Sequence, residues 1–202
     1  MKFYFNELPV QEKFYENSSE WVRVLEPDFN IQLRWGMVIG FTIGFIVLFA
    51  FTHFYKAELR AARVTPVQVG LLVFGFFAVN FIHEIIHLVL LPHWGFSEKS
   101  IMAFIPKQGV LFVAHLEGIT RWNYLLALVG PLFFLSIVPL GICMYEPNKV
   151  VVILAVANLA ASGGDMMRVW VIYNRVPKGA LVRTYEQQTY HSTRYSLRED
   201  HF

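Results

Sequence analysis

Residues 77–94 read FAVNFIHEIIHLVLLPHW, and within this apolar run His83, Glu84 and His87 form the pattern HExxH. On a helix the i, i+4 spacing puts both imidazoles on one face, close enough to share a metal ion, with Glu84 beside it. A carboxylate in that place could take a proton from a water that the metal acidifies, so the chemistry implied is hydrolysis of a polarised carbonyl. With 7 histidines in 202 residues, chance supplies about 0.01 such patterns per chain of this composition. Ionisable groups at bilayer depth are costly and usually functional. The bland reading is a polar helix interface that binds no metal.

Zinc sites of this kind need a third protein ligand and an open fourth position. His93 stands where the soluble HExxHxxGxxH pattern has its last histidine, but Leu90 replaces the glycine that turns the chain back. Nothing in the spacing of His115 and Glu117 fixes them near the site. Asp165 is the stronger candidate. It lies in an otherwise apolar stretch, and Gly163 and Gly164 before it suit the close approach of another helix. Its competing role is an i, i+3 ion pair with Arg168. Asn158, seven residues earlier on the same helical face, suits orientation of a substrate or a ligand, or simply helix packing. The same ligands hold several divalent ions, so zinc is expected without excluding iron or cobalt.

The elements that must position these residues read as membrane spans. The chain is 55% hydrophobic and 16% charged, whereas a soluble domain carries about 25% charge. Four stretches are long enough, at about 1.5 Å per residue, to cross roughly 30 Å of hydrocarbon. They are residues 35–55, 66–91, 122–145 and 151–173. Thr65-Pro66 is a good cap and first turn for the second, which stops at Pro92. Pro131 and Pro139 in the third free carbonyls that neighbouring helices must satisfy. Counting from the ends of spans two and four, which run in the same direction, His87 and Asp165 fall on one side of the bilayer within about one helical turn.

Between spans two and three, SIMAFIPKQGVLFVAHLEG is apolar but broken by Pro106, Lys107 and Gly109. It reads as an interfacial β-hairpin or, equally on pattern, as a re-entrant or amphipathic helix. The expected class is therefore an all-α polytopic membrane protein with about four transmembrane helices and this short insert. Residues 1–34 form an extramembrane segment, 35–173 a single membrane-embedded domain, and 174–202 a polar, exposed tail. A net charge of +2 argues against nucleic acid, and one cysteine, Cys143, excludes an intrachain disulfide and CxxC zinc patterns. An even number of spans puts both termini on one side. That side carries Arg34, Lys99, Lys107, Arg121, Arg175, Lys178 and Arg183, against Lys56, Arg60, Arg63 and Lys149 opposite, which favours termini and a site opening toward the cytoplasm.

HExxH in one span, a hairpin-like insert, Gly130-Pro131 early in the next span, and Asn158 followed by Gly164-Asp165 in the last together resemble the intramembrane site-2 metalloproteases. More closely, they resemble their small bacterial zincin-type relatives of unknown function. The resemblance covers about residues 66–173. It implies one zinc ion held by His83, His87 and Asp165, Glu84 as catalytic base, and a membrane-associated polypeptide as substrate in a bacterial cell membrane. The sequence departs from those proteases in NLAASGGDMM, which lacks their proline between Asn and Asp and their glycine after Asp. The alternative is a non-catalytic membrane protein that keeps the fold and acts as a binding or regulatory partner. Di-iron hydroxylases and desaturases are excluded by the absence of HxxHH boxes. Oligomeric state is not encoded in any of these patterns.

Overall fold

A computed structural model describes residues 1–5, 21–55, 65–105, 110–185 and 188–193. The basic loop at 56–63, the turn at 106–109 and the last nine residues lie outside them. The helices are α1 (Phe29–Phe54), α2 (Pro66–Val89), α3 (Arg121–Leu132), α4 (Val138–Cys143), α5 (Lys149–Ala161) and α6 (Gly163–Arg175). Three are long and apolar enough to cross a membrane, counting α3 and α4 as one continuous span, and a fourth is added if α5 and α6 are one span. Their surfaces agree with that reading. Phe41, Phe45, Phe49, Phe74, Phe77 and Phe134 stand exposed, a larger apolar surface than water-soluble monomers leave bare.

Local sequence explains where these helices start. Thr65 accepts the Gln68 N–H and Gln68 accepts the Thr65 N–H, a reciprocal cap with Pro66 at the first helical position, as expected. The first helix begins earlier than residue 35, because Gln32 is buried and anchored, donating to Glu26 and to the Pro27 carbonyl. Polar residues in its first turns therefore do not stop it.

The third and fourth spans are less regular than expected. Between α3 and α4 a π turn, Phe133–Ile137, keeps the span continuous, with the Val138 N–H reaching five residues back to Phe133. The stretch 151–173, expected as one span, is two helices bent by 46° at Ser162. The bend has a packing cause. A Cβ on Gly163 would overlap the Gly36 carbonyl, and one on Gly40 would overlap the Ala160 carbonyl, so α1 lies directly on the break. The Gly164 backbone also lies close to Gly36, as expected, although its own Cβ direction is open space.

The insert between α2 and α3 is a β-hairpin, β3 (Ser100–Ile105) with β4 (Val110–His115), paired from Ser100↔His115 to Ile105↔Val110. β1 (Lys2–Phe5) adds a parallel strand to β3. A second sheet runs in the order β2 (Val22–Arg23), β7 (Gln188–Ser192), β6 (Leu181–Tyr185), β5 (Ile119–Thr120). The residues after 173 were expected to be exposed, yet Ala180, Val182 and Tyr190 are buried. Val182 packs with Val24, Leu125, Val171 and Ile172 in one core cluster, and Leu88, Leu91, Met102, Ile119 and Ala127 form another. Both clusters lie where the sheets meet the N-terminal end of α3 and the C-terminal ends of α2 and α6. At the opposite end the Tyr55 hydroxyl donates to the Met144 carbonyl at 2.8 Å. The helices thus alternate in direction, and both sheets cap one end.

Candidate metal centre

Helix α2 is mostly exposed and apolar; only His83 and Leu88 are fully buried in it. His83 faces inward between α3, α5 and α6, and His87 lies one turn later on the same face, its ring 4.8 Å from that of His83. The two Nε2 atoms are 3.1 Å apart. Asp165, in the first turn of α6, brings Oδ2 to 3.2 Å from His83 Nε2 and 3.4 Å from His87 Nε2. Counting along the spans anticipated this meeting of two helices 82 residues apart in sequence.

The other nitrogen of each ring is held by its own partner. His83 Nδ1 lies 2.9 Å from Asn158 Oδ1, and Asn158 spends its amide protons on the Pro131 carbonyl at 3.2 Å and on Ser136 Oγ at 2.8 Å. Its oxygen therefore faces the ring, and His83 must donate from Nδ1. Ser136 in turn donates to the Ala155 carbonyl. His87 Nδ1 donates to the Ala127 carbonyl at 2.8 Å. In a regular helix that carbonyl would accept from residue 131, which here is proline and has no N–H. The freed carbonyl expected at Pro131 is thus satisfied by a site histidine. Gly130 lets this happen, because a Cβ there would overlap the side chain of Leu90, the C-cap of α2.

With both Nδ1 atoms donating to their partners, the two Nε2 atoms and the carboxylate oxygen converge, and neutral rings in that arrangement would offer three electron pairs to one cation. Bonds of about 2.0–2.1 Å in a tetrahedral arrangement require donor atoms about 3.3 Å apart, and these donors are separated by 3.1 to 3.4 Å. His83, His87 and Asp165 are therefore a group able to hold one metal ion, and two imidazoles with one carboxylate suit zinc.

A cavity of about 260 Å³ opens beside this group at the sheet-covered end, bordered by Glu84, His115, Tyr124, Arg168 and Arg183. Glu84 has no hydrogen bond or ion pair among the described residues. The remaining candidates are placed elsewhere. His93 sits in a 3-10 turn, Pro92–Gly95, where it and Trp94 adopt left-handed backbone with φ of 57° and 56°, and it is not among the converging donors. Glu117 pairs with Lys99 at 2.7 Å, which holds its carboxyl below the usual range. His115 shares a hydrogen bond with Ser100 at 3.0 Å, and burial pushes its imidazole down. Both border the cavity without joining the metal group.

The ion pair between Asp165 and Arg168 is not formed; Asp165 is engaged by the two histidines. Sequence reasoning missed the part of Ser136 and of the Ala127 carbonyl. The second was within reach, since a proline in a span identifies its own orphan carbonyl four residues back.

The chain belongs to the family described as "Putative zincin peptidase", whose profile matches residues 76–181. The match spans the converging donors, Glu84 and Asn158, and leaves α1 outside. No curated protein and no solved structure matches the chain significantly.

Proposed function

We propose that this zincin-family chain is a zinc-dependent intramembrane peptidase, akin to the site-2 proteases, that hydrolyses peptide bonds of membrane-associated polypeptides. The supporting observation is the meeting of His83 Nε2, His87 Nε2 and Asp165 Oδ2 within 3.4 Å of one another, with both rings locked from behind. These three residues would hold the ion, and Asn158 orients His83. A zinc ion there would polarise the scissile carbonyl and acidify a water beside it. Glu84, on the cavity wall and without a partner among the described residues, accepts a proton from the attacking water as its oxygen adds to the carbonyl carbon. When the C–N bond breaks, Glu84 returns that proton to the leaving nitrogen, giving an acid and an amine.

Long apolar helices around a cavity open at one end suit a substrate that arrives from the bilayer or its surface. The excess of basic residues at that end supports a cytoplasmic opening, with residues 35–173 as the membrane-embedded domain. Glu84→Gln keeps size and hydrogen bonding but loses proton acceptance, so hydrolysis should fall about 10²-fold or more while metal content stays at the wild-type level. Loss of metal in Glu84→Gln as complete as in His83→Ala would contradict its role as base.

A further inference from the structure

Arg168 follows Asp165 by three residues on α6, so the two lie on one face of that helix. Its obvious ion-pair partner is taken, because Asp165 faces His83 and His87. The other carboxylate that acts on it, Glu26, has both oxygens engaged, one by the Thr189 N–H and one by the Gln32 amide. Among the described residues no carboxylate stands within salt-bridge distance of Arg168; its side chain meets the Tyr124 hydroxyl. It borders the same cavity as Glu84 and the metal group, and Arg183 reaches that cavity from β6. A sheltered guanidinium without a paired carboxylate is costly. Its planar fork of donors is shaped for a two-oxygen anion.

We infer that Arg168, on the wall of the cavity that Arg183 also lines, receives a carboxylate of the bound polypeptide, so that the preferred substrate carries one close to the scissile bond. The inference takes the cavity to be the substrate site of the proposed peptidase. The carboxylate can be a chain end or the side chain of Asp or Glu; both offer the same two oxygens.

The test uses the full chain purified in detergent and stripped of metal with a chelator, so that no ion competes for the anion. Binding of short apolar peptides is measured in two matched pairs. One pair differs only as free C-terminal acid against amide, the other only as internal Glu against Gln. At least one anionic form should bind tighter than its neutral counterpart by roughly tenfold or more. Preference in the first pair identifies a chain end, and in the second a side chain. Arg168→Gln should abolish the preference, and Arg168→Lys should restore part of it. Equal binding, or no binding, of acid and neutral forms in the wild type overturns the inference without any variant, as does a preference that survives in Arg168→Gln. Retention of anionic lipid by the wild type but not by Arg168→Gln, with no peptide preference, would assign the site to a headgroup and also overturn it. Because metal content and hydrolysis are read separately, failure here is distinct from failure of the peptidase reading.

Discussion

His87 donates its Nδ1 proton to the Ala127 carbonyl at 2.8 Å. That acceptor is open because residue 131 is proline, and the ring's orientation follows from a missing N–H on another helix. Pro131→Ala would supply that N–H and let the carbonyl return to its helix. Zinc affinity, measured by competition with a chromophoric chelator, should fall about 10-fold or more, as for loss of other partners behind metal ligands. Unchanged affinity would show that the Ala127 contact does not set the ring.

Asn158 is the corresponding partner of His83, held by Ser136 and by the Pro131 carbonyl. Asn158→Leu removes the acceptor, and a 10- to 100-fold loss of zinc affinity is expected, roughly. Ser136→Ala leaves the acceptor in place and frees only one amide proton, so its effect should be smaller. Equal effects of the two variants would mean that Asn158 acts through helix packing and not through the ring.

Much of this arrangement could be read before folding was considered. HExxH was visible as a pattern, the Thr65 cap and the hairpin had local signals, and the nearness of Asp165 to His87 followed from counting along parallel spans. The break at Ser162 was not legible, since its cause is an overlap between Gly163 and Gly36, which are distant in sequence. Nor was burial after residue 173, where a polar composition conceals Val182 and Tyr190, buried on opposite faces of a sheet completed by β2 and β5. That Arg168 does not pair with Asp165 was hidden for a similar reason: i, i+3 spacing suggests an ion pair, and tertiary contacts give Asp165 to the histidines.

Helix α1 lies outside the family match, yet its Gly36 and Gly40 face the break from which Asp165 emerges. Gly163→Val places a branched side chain against the Gly36 carbonyl. Overpacking of this kind costs about 1–3 kcal/mol, so the variant should unfold in less denaturant than the wild type and bind zinc more weakly. Gly164→Ala, with open space at its Cβ, should change neither property. Equal stability of Gly163→Val and the wild type would show that α1 does not support the break.

The most direct test is the metal content of purified variants, determined by mass spectrometry of the whole protein preparation. The wild type should carry about one zinc per chain, as the one converging donor set among the described residues implies. Asp165→Asn, His83→Ala and His87→Ala should each lose most of it, while His93→Ala and Glu117→Gln should retain it. Full zinc in Asp165→Asn, with loss in His93→Ala or Glu117→Gln, would contradict the assignment of α6 as the third side of the site.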